Sequence, residues 1–127
     1  MNKVEYLHEL DKLGLDKSRY CIIAGGVMLL HSLKDSTEDI DIKVQPDYFE
    51  ELKSRSTFTK SPKPYPDLYV LSDTVEVAAR EFDTVEIVDG YPTEPLTEVL
   101  AWMKEHKRPK DLEKIKIIEN YLKKGAQ

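Results

Sequence analysis

The chain has 127 residues, of which 40% are hydrophobic and 34% are charged, and its formal net charge is −5. This length fits a single compact domain over residues 1–127, and the negative charge argues against a broad nucleic-acid-binding surface. No apolar run approaches the ~20 residues of a membrane span, and the amphipathic N-terminus does not resemble a signal peptide. The one cysteine, Cys21, has no partner within the chain, so we expect a buried thiol and a cytoplasmic protein.

The first half of the chain predicts helices and strands in alternation. Val4, Leu7, Leu10 and Leu13 recur at helical spacing, which predicts an amphipathic helix that ends near Gly14. The segments that follow predict, in order, a buried strand at 20–24, a helix that begins at the pair Gly25-Gly26, an alternating strand at 39–44 and a short helix at 46–55.

The second half predicts a loop, then strands, then two helices. Residues 60–67 contain three prolines and predict the loop. Three β-rich segments follow, at 68–72, 74–80 and 83–90, the last ending in the turn pair Asp89-Gly90. In two of these segments, apolar residues alternate with a glutamate, which predicts one face made of Val75, Val77, Val85 and Ile87 and another carrying Glu76 and Glu86.

Residues 93–107 and 108–124 predict the two closing helices, and Pro109 suits the first turn of the second one. Their predicted inward stripes are Leu96, Val99, Leu100 and Met103, and then Leu112, Ile115, Ile118 and Leu122. The order of elements indicates an α/β (α+β) fold, in which a small mixed β-sheet is flanked by helices and followed by a C-terminal helical pair.

Two short clusters carry candidate chemistry. Asp39 and Asp41 are two residues apart in the predicted strand, so their carboxylates are expected on the same face. Such a pair is costly unless a cation lies between the carboxylates, and carboxylates together with phosphate oxygens are usual Mg²⁺ ligands. Gly25 and Gly26 separate a strand from a helix, where the backbone can approach a phosphate closely. Together these clusters predict a phosphate site beside its metal.

The segment "AGGVMLLHSLKDSTEDIDIKV" resembles the glycine-pair and paired-aspartate core of the polymerase-β-like nucleotidyltransferases, especially their minimal single-domain members. The matching residues are Gly25, Gly26, His31, Thr37, Asp39, Ile40 and Asp41. A second segment, near the C-terminus, resembles the helical pair that closes many members, and there Arg108, Lys110 and Asp111 match. The resemblance covers residues 20–44 and 95–118 well and the middle of the chain only loosely.

This resemblance implies an enzyme that depends on Mg²⁺, or alternatively Mn²⁺. It would move a nucleoside monophosphate from a nucleoside triphosphate to a hydroxyl acceptor on a protein, an RNA or a small molecule. Asp39 and Asp41 would hold the metal ions. Glu76 is the best match for the family's third carboxylate, and Glu86 is the other candidate. The triphosphate would lie against Gly25 and Gly26, with Lys34 and Lys110 as its cationic contacts.

The sequence departs from the common pattern of the family at several positions. It has Gly-Gly where many active members have Gly-Ser, Glu76 where aspartate is usual, and Lys34 where an arginine is frequent. Minimal members often belong to toxin–antitoxin or phage-defence pairs, and some of them have lost activity. The alternative is therefore a catalytically inactive binding protein of the same fold that acts through a partner.

Five further residues have expected roles of their own near such a site. Tyr65 and Tyr69 flank the proline-rich loop, where an aromatic ring can stack on a base. Trp102 is expected in the core and His31 in helix packing. Asp111 is expected to favour the dipole of the last helix.

Overall fold

The computed structural model describes residues 1–125, in which five α-helices flank one mixed β-sheet. The helices are α1 Lys3–Lys12, α2 Gly25–Leu30, α3 Pro46–Leu52, α4 Leu96–His106 and α5 Leu112–Gly125. The strands are β1 Tyr20–Ile22, β2 Ile40–Val44, β3 Thr59–Lys60, β4 Leu68–Ser72, β5 Val75–Ala79, β6 Glu86–Val88 and β7 Tyr91–Thr93. A short 3-10 turn, Pro109–Asp111, leads into α5.

The sheet has seven strands in the order β3-β4-β5-β2-β1-β7-β6. The central strand β2 runs parallel to β5 and antiparallel to β1, and β1 runs parallel to β7. This arrangement confirms the predicted α/β class with a small mixed sheet, and α4 and α5 form the predicted C-terminal helical pair. No helix within residues 1–125 is long and apolar enough to cross a bilayer.

The core lies where the buried residues of the central strands meet the helices. Ile40, Ile42 and Val44 alternate with partly exposed residues along β2, as the sequence pattern predicts. Cys21 on β1 is also buried, which confirms its expected place in the core. Because the apolar side chains of β2 anchor one face of the sheet, its intervening residues are committed to the other face.

Helix α1 confirms its predicted position but not its predicted stripe. Asn2 and Glu5 form a reciprocal capping box at its start, and Gly14 follows its end with a φ of +63°. The helix buries Tyr6 and Leu10, whereas Val4 is 78% exposed, so the prediction was wrong at Val4. Tyr6 is fully buried next to Gly26, so the face of α1 that carries Tyr6 and Leu10 is the one that packs on the core.

Two other predicted stripes are wrong in part. Leu112 is 58% exposed although Ile118 on the same helix is fully buried. Six residues at about 100° each place Leu112 roughly 120° around the helix from Ile118, and hence off the packing face. Val85 and Ile87 are also exposed: Ile87 lies on the short edge strand β6, and Val85 precedes that strand.

Strands β3 and β7 were not predicted. Pro92 lies in β7, and the residue that we assigned to the start of a helix, Thr93, is instead a fully buried strand residue. The turn at Asp89-Gly90 is confirmed, since both residues have positive φ, +52° and +85°, as a tight two-residue hairpin requires. This hairpin adds β6 and β7 to the sheet beside β1.

Candidate functional site

A cleft of about 420 Å³ opens on the polar face of the sheet. Its floor includes Asp41 on β2 and Glu76 on β5. The β1–α2 junction forms one side, the proline-rich loop at 61–67 forms another, and α4 with the start of α5 forms the third. The cleft therefore gathers most of the residues that the sequence analysis singled out.

Asp41 and Glu76 form the centre of this floor. They are direct partners in the parallel pairing of β2 with β5. Neighbouring strands are about 4.8 Å apart, so side chains at paired positions on the same face lie side by side. The structure therefore brings together Asp41 and the preferred third carboxylate, whereas Glu86 lies exposed on the edge strand β6, with β1 and β7 between that strand and β2.

The environment of Asp41 disfavours a charged carboxylate. Burial, together with the neighbouring charges of Glu76 and Asp39, raises the pKa of Asp41 to about 6. A carboxyl group whose ionisation is opposed by burial and by two other acids is a position where an added cation would be stabilising. Asp39 itself is exposed and precedes β2, so it stands at the rim of the acidic group rather than within the strand.

One cation already lies on this acidic group. The Lys63 ammonium donates to both carboxylate oxygens of Glu76, at 2.8 and 3.1 Å. This hydrogen-bonded contact, with the charges of Asp41 and Asp39 nearby, raises the pKa of Lys63. Lys63 was not singled out from the sequence, since a lysine in a proline-rich loop gives no sign that the loop folds over the strands.

Gly25 faces the cleft and Gly26 faces the core. A Cβ added to Gly25 would lie 3.0 Å from Lys34 Nζ and 3.2 Å from Thr37 Oγ1. A Cβ added to Gly26 would lie 2.3 Å from the Tyr6 hydroxyl oxygen and 2.6 Å from Ile22 Cγ2. The structure thus gives Gly25 a position suited to a ligand and gives Gly26 a packing role against Tyr6.

Lys34 lies directly above Gly25. Its pKa is lowered by burial and by the nearby charge of Lys114, while Asp41 and Glu38 act in the opposite direction. Lys110 and Lys114 line the third side of the cleft. Lys34 therefore supplies one cation beside Gly25, and Lys110 and Lys114 supply two on the third side of the cleft.

Arg108 and Asp111 form an ion pair at the base of that third side. Asp111 is fully buried and accepts from Arg108 Nε at 2.6 Å, and Lys114 Nζ lies 3.7 Å from its second oxygen. Asp111 is thus a buried ion-pair partner, where the sequence suggested only a favourable helix charge. Its spacing of three residues from Arg108 was the one signal that could have shown this.

The aromatic residues divide between the cleft and the core. Tyr65 lines the cleft, whereas the Tyr69 ring packs on Phe49 at 4.6 Å between centroids. Trp102 is partly buried and packs against the core, as expected, and it also lines the cleft and stacks on His106 at 3.9 Å. His31 packs edge-on against Tyr121 at 5.5 Å, in agreement with a role in helix packing.

The strained backbone at Ala24 is a further feature that the sequence did not show. Ala24 links β1 to α2 with φ +57° and ψ −131°, a conformation that L-residues rarely adopt. Such strain persists only where the surrounding structure over-determines it, and it is frequent at ligand sites. Here it turns the chain sharply so that Gly25 faces the cleft.

The donor set of the cleft fits a divalent metal that shares its ligands with a phosphate. Among residues 1–125, no group of three or more His, Cys, Asp or Glu side chains is arranged to hold a metal ion alone. Mg²⁺, however, is commonly bound by one or two carboxylates together with substrate phosphate oxygens. Asp41 and Glu76, with Asp39 at the rim, are carboxylates of this kind, and Glu76 holds the Lys63 ammonium.

Comparison of the chain with protein-family models, with curated proteins and with solved structures gives no match. The resemblance to nucleotidyltransferases therefore depends on the motif residues of the sequence alone.

Proposed function

We propose that this protein binds a nucleoside triphosphate with Mg²⁺ or Mn²⁺ in the cleft and transfers the nucleoside monophosphate to an acceptor hydroxyl. The observation that carries this proposal is the in-register pair Asp41 and Glu76, in a cleft that has Lys34 beside Gly25 and Lys110 on its third side. Carboxylates for a metal and cations for phosphates are what phosphoryl-group transfer requires from a protein.

Each side chain has a defined part in this proposal. Asp41 and Glu76 would hold the metal, and Asp39 would complete its acidic surroundings. Bound there, the metal would neutralise phosphate charge as the transfer proceeds. Lys34 and Lys110 would hold the outer phosphates against the open face of Gly25. Burial and the charge of Glu76 raise the pKa of Asp41, and a metal bound there would favour its charged form.

Binding can be tested before an acceptor is known. Thermal unfolding would be followed with ATP, CTP, GTP or UTP, each in the presence of Mg²⁺, Mn²⁺ or EDTA. A ligand at 100 times its Kd adds ~2.7 kcal/mol, and we therefore expect Tm to rise by several degrees with one or more triphosphates, only in the presence of metal.

The chain offers a matched control for Glu76. Glu86 occurs in "TVEIV", a context close to the "TVEVA" around Glu76, but it lies on the edge strand. We expect Asp41→Asn and Glu76→Gln to abolish the metal-dependent shift and Glu86→Gln to retain it. An equal loss in Glu86→Gln would contradict a site at β2 and β5. Transfer itself would be detected as a nucleotidyl group added to a hydroxyl-bearing acceptor, with intact-mass measurement of the protein as the first assay.

The second candidate is a catalytically inactive protein of the same fold that binds a partner. The Lys63–Glu76 ion pair favours it, because an internal cation can replace a metal permanently. In that case no triphosphate would raise Tm in any metal, and Asp41→Asn would leave partner binding unchanged.

A further inference from the structure

The proline-rich loop at 61–67 is held over the acidic floor of the cleft by several bonds. Lys60 Nζ donates to the carbonyl oxygens of Tyr65 and Leu68, at 2.6 and 3.2 Å. Asp67, at the far end of the loop, accepts two hydrogen bonds from Arg80, at 2.6 and 3.0 Å. Both ends of the loop are therefore fixed, and its position does not depend on the Lys63 side chain.

Within the loop, two hydrogen bonds hold the backbone of Lys63 in place. Its N–H donates to the Ser61 hydroxyl at 3.2 Å, and its carbonyl accepts from the Tyr65 N–H at 2.8 Å. Prolines at 62, 64 and 66 restrict the remaining backbone angles. The loop thus places the Lys63 ammonium against Glu76. The side chain of Lys63 is 54% exposed, so the ammonium can move away into solvent.

We infer that Lys63 is a resident counter-ion that a divalent metal must displace from Glu76, so that the metal binds weakly until a triphosphate is present. This inference rests on the proposed function and adds an order of binding to it. The Lys63 ammonium contacts both oxygens of Glu76, so a metal on the same carboxylate would be held against a second positive charge and repelled by it. Displacement therefore opposes metal binding by the free protein.

A bound triphosphate changes this balance. Its oxygens offer the released ammonium a new partner close to Glu76, since Lys63, Gly25 and Lys110 line the same cleft. The metal and the nucleotide would then favour each other's binding by the same factor, as linkage requires. Replacement of Lys63 by a neutral residue removes the competitor and with it the part of this coupling that comes from displacement, whereas the part that comes from metal–phosphate contact remains.

The test measures the affinity of Mn²⁺ alone, by titration calorimetry, for wild type, Lys63→Met and Lys12→Met. Lys12 forms a surface ion pair with Glu9 at 3.0 Å on α1, so Lys12→Met changes the net charge equally at a distance from the cleft. We expect Lys63→Met to bind Mn²⁺ roughly tenfold more tightly or better, since a countercharge in contact has been removed. Lys12→Met should bind as wild type does.

The same titrations are then repeated with a saturating triphosphate. We expect Mn²⁺ affinity to rise in both proteins, because phosphate oxygens join the metal's ligands, and to rise by a larger factor in wild type than in Lys63→Met. If both proteins bind Mn²⁺ alone with equal affinity, the inference is overturned and the proposed function stands. If neither binds Mn²⁺ under any condition, both are overturned. If only Lys63→Met ever binds it, Lys63 replaces the metal permanently, which overturns displacement and supports the inactive alternative.

Discussion

Asp41 on β2 and Glu76 on β5 are direct partners on adjacent parallel strands. Their separation along the sequence does not indicate this pairing. The thirty-odd residues between them include a helix, the proline-rich loop and two strands. The pairing places two acids side by side on a partly buried surface. Burial, and next the charge of Glu76, raise the pKa of Asp41 to about 6, and we expect this to affect the stability of the metal-free protein.

Because the pKa of Asp41 is higher in the folded than in the unfolded protein, the folded state holds this proton to a higher pH. The contribution of Asp41 to stability is therefore most favourable below pH ~4 and declines as pH rises from there through about 6. We expect Asp41→Asn to change the free energy of unfolding little at pH 4. At pH 7.5 it should stabilise the metal-free protein by on the order of 2 kcal/mol.

Urea unfolding in EDTA, at half-unit pH steps from 4 to 7.5, measures this difference. Asp39→Asn serves as the comparison, since Asp39 is exposed and should give a much smaller effect. A constant difference between Asp41→Asn and wild type across this range would contradict a raised pKa.

The two glycines of the motif should respond differently to alanine. In Gly26→Ala the new methyl would meet the Tyr6 hydroxyl oxygen at 2.3 Å and Ile22 Cγ2 at 2.6 Å, and neither can move within the core. We expect this variant to lose about 3 kcal/mol of stability or more. In Gly25→Ala the contacts are the tips of Lys34 and Thr37, which can move.

The free energy of unfolding of Gly25→Ala should therefore lie within about 1 kcal/mol of the wild-type value, since alanine also favours the helix. It should nevertheless weaken the triphosphate-dependent rise in Tm, because its methyl group projects toward the phosphate position. Urea unfolding and the nucleotide titration on both variants check this. Equal destabilisation by the two alanines would contradict the division of roles.

The Tyr6 hydroxyl should contribute nothing to stability. It is buried, no hydrogen-bond partner is present for it within residues 1–125, and burial followed by the charge of Asp41 raises the pKa of Tyr6. A buried polar group without a partner is unfavourable, so Tyr6→Phe should be neutral or stabilising by up to about 1 kcal/mol. Urea unfolding measures this, and a loss above that value would show that the hydroxyl has a partner.

The elements that could be predicted from the sequence were those with strong local signals. The alternation around Ile40 and Ile42 gave β2 and its buried face, and the Asp89-Gly90 pair gave the turn. Strand β7 was missed because it has only three residues and contains Pro92, which is locally unfavourable in a strand. Its place beside β1 is decided by long-range pairing, which local propensity does not contain.

The candidate site was likewise predictable only where local sequence signals are strong. The motif around Asp39 and Asp41 pointed to a metal-and-phosphate site, and Glu76 was preferred over Glu86 by the residues around it. The fold places Glu76 opposite Asp41, but the contact of Lys63 with Glu76 depends on how a loop folds back over two strands. Such a contact joins residues in different elements at irregular spacing, so no periodicity in the sequence reports it.

The buried Arg108–Asp111 pair should be far more important for stability than the exposed Arg80–Asp67 pair. Asp111 is fully buried and receives its short contact from Arg108 Nε, and Lys114 is only a distant second partner. Arg108→Met leaves a buried carboxylate with little compensation, so we expect a loss of about 3 kcal/mol. Arg80→Met breaks a contact of the same length, 2.6 Å, on the surface and should cost about 1 kcal/mol or less.

The double variant Arg108→Met/Asp111→Leu tests which of two effects lowers the stability of Arg108→Met: a buried charge left without a partner, or the lost attraction between the two side chains. Replacing both partners by apolar groups removes the desolvation penalty, so the double variant should recover most of the stability lost in Arg108→Met. Urea unfolding of the three variants measures this. If the double variant were as unstable as Arg108→Met, the contact of the Arg108 guanidinium with the Trp102 ring, 4.6 Å from its centroid, would account for the loss instead of the buried charge.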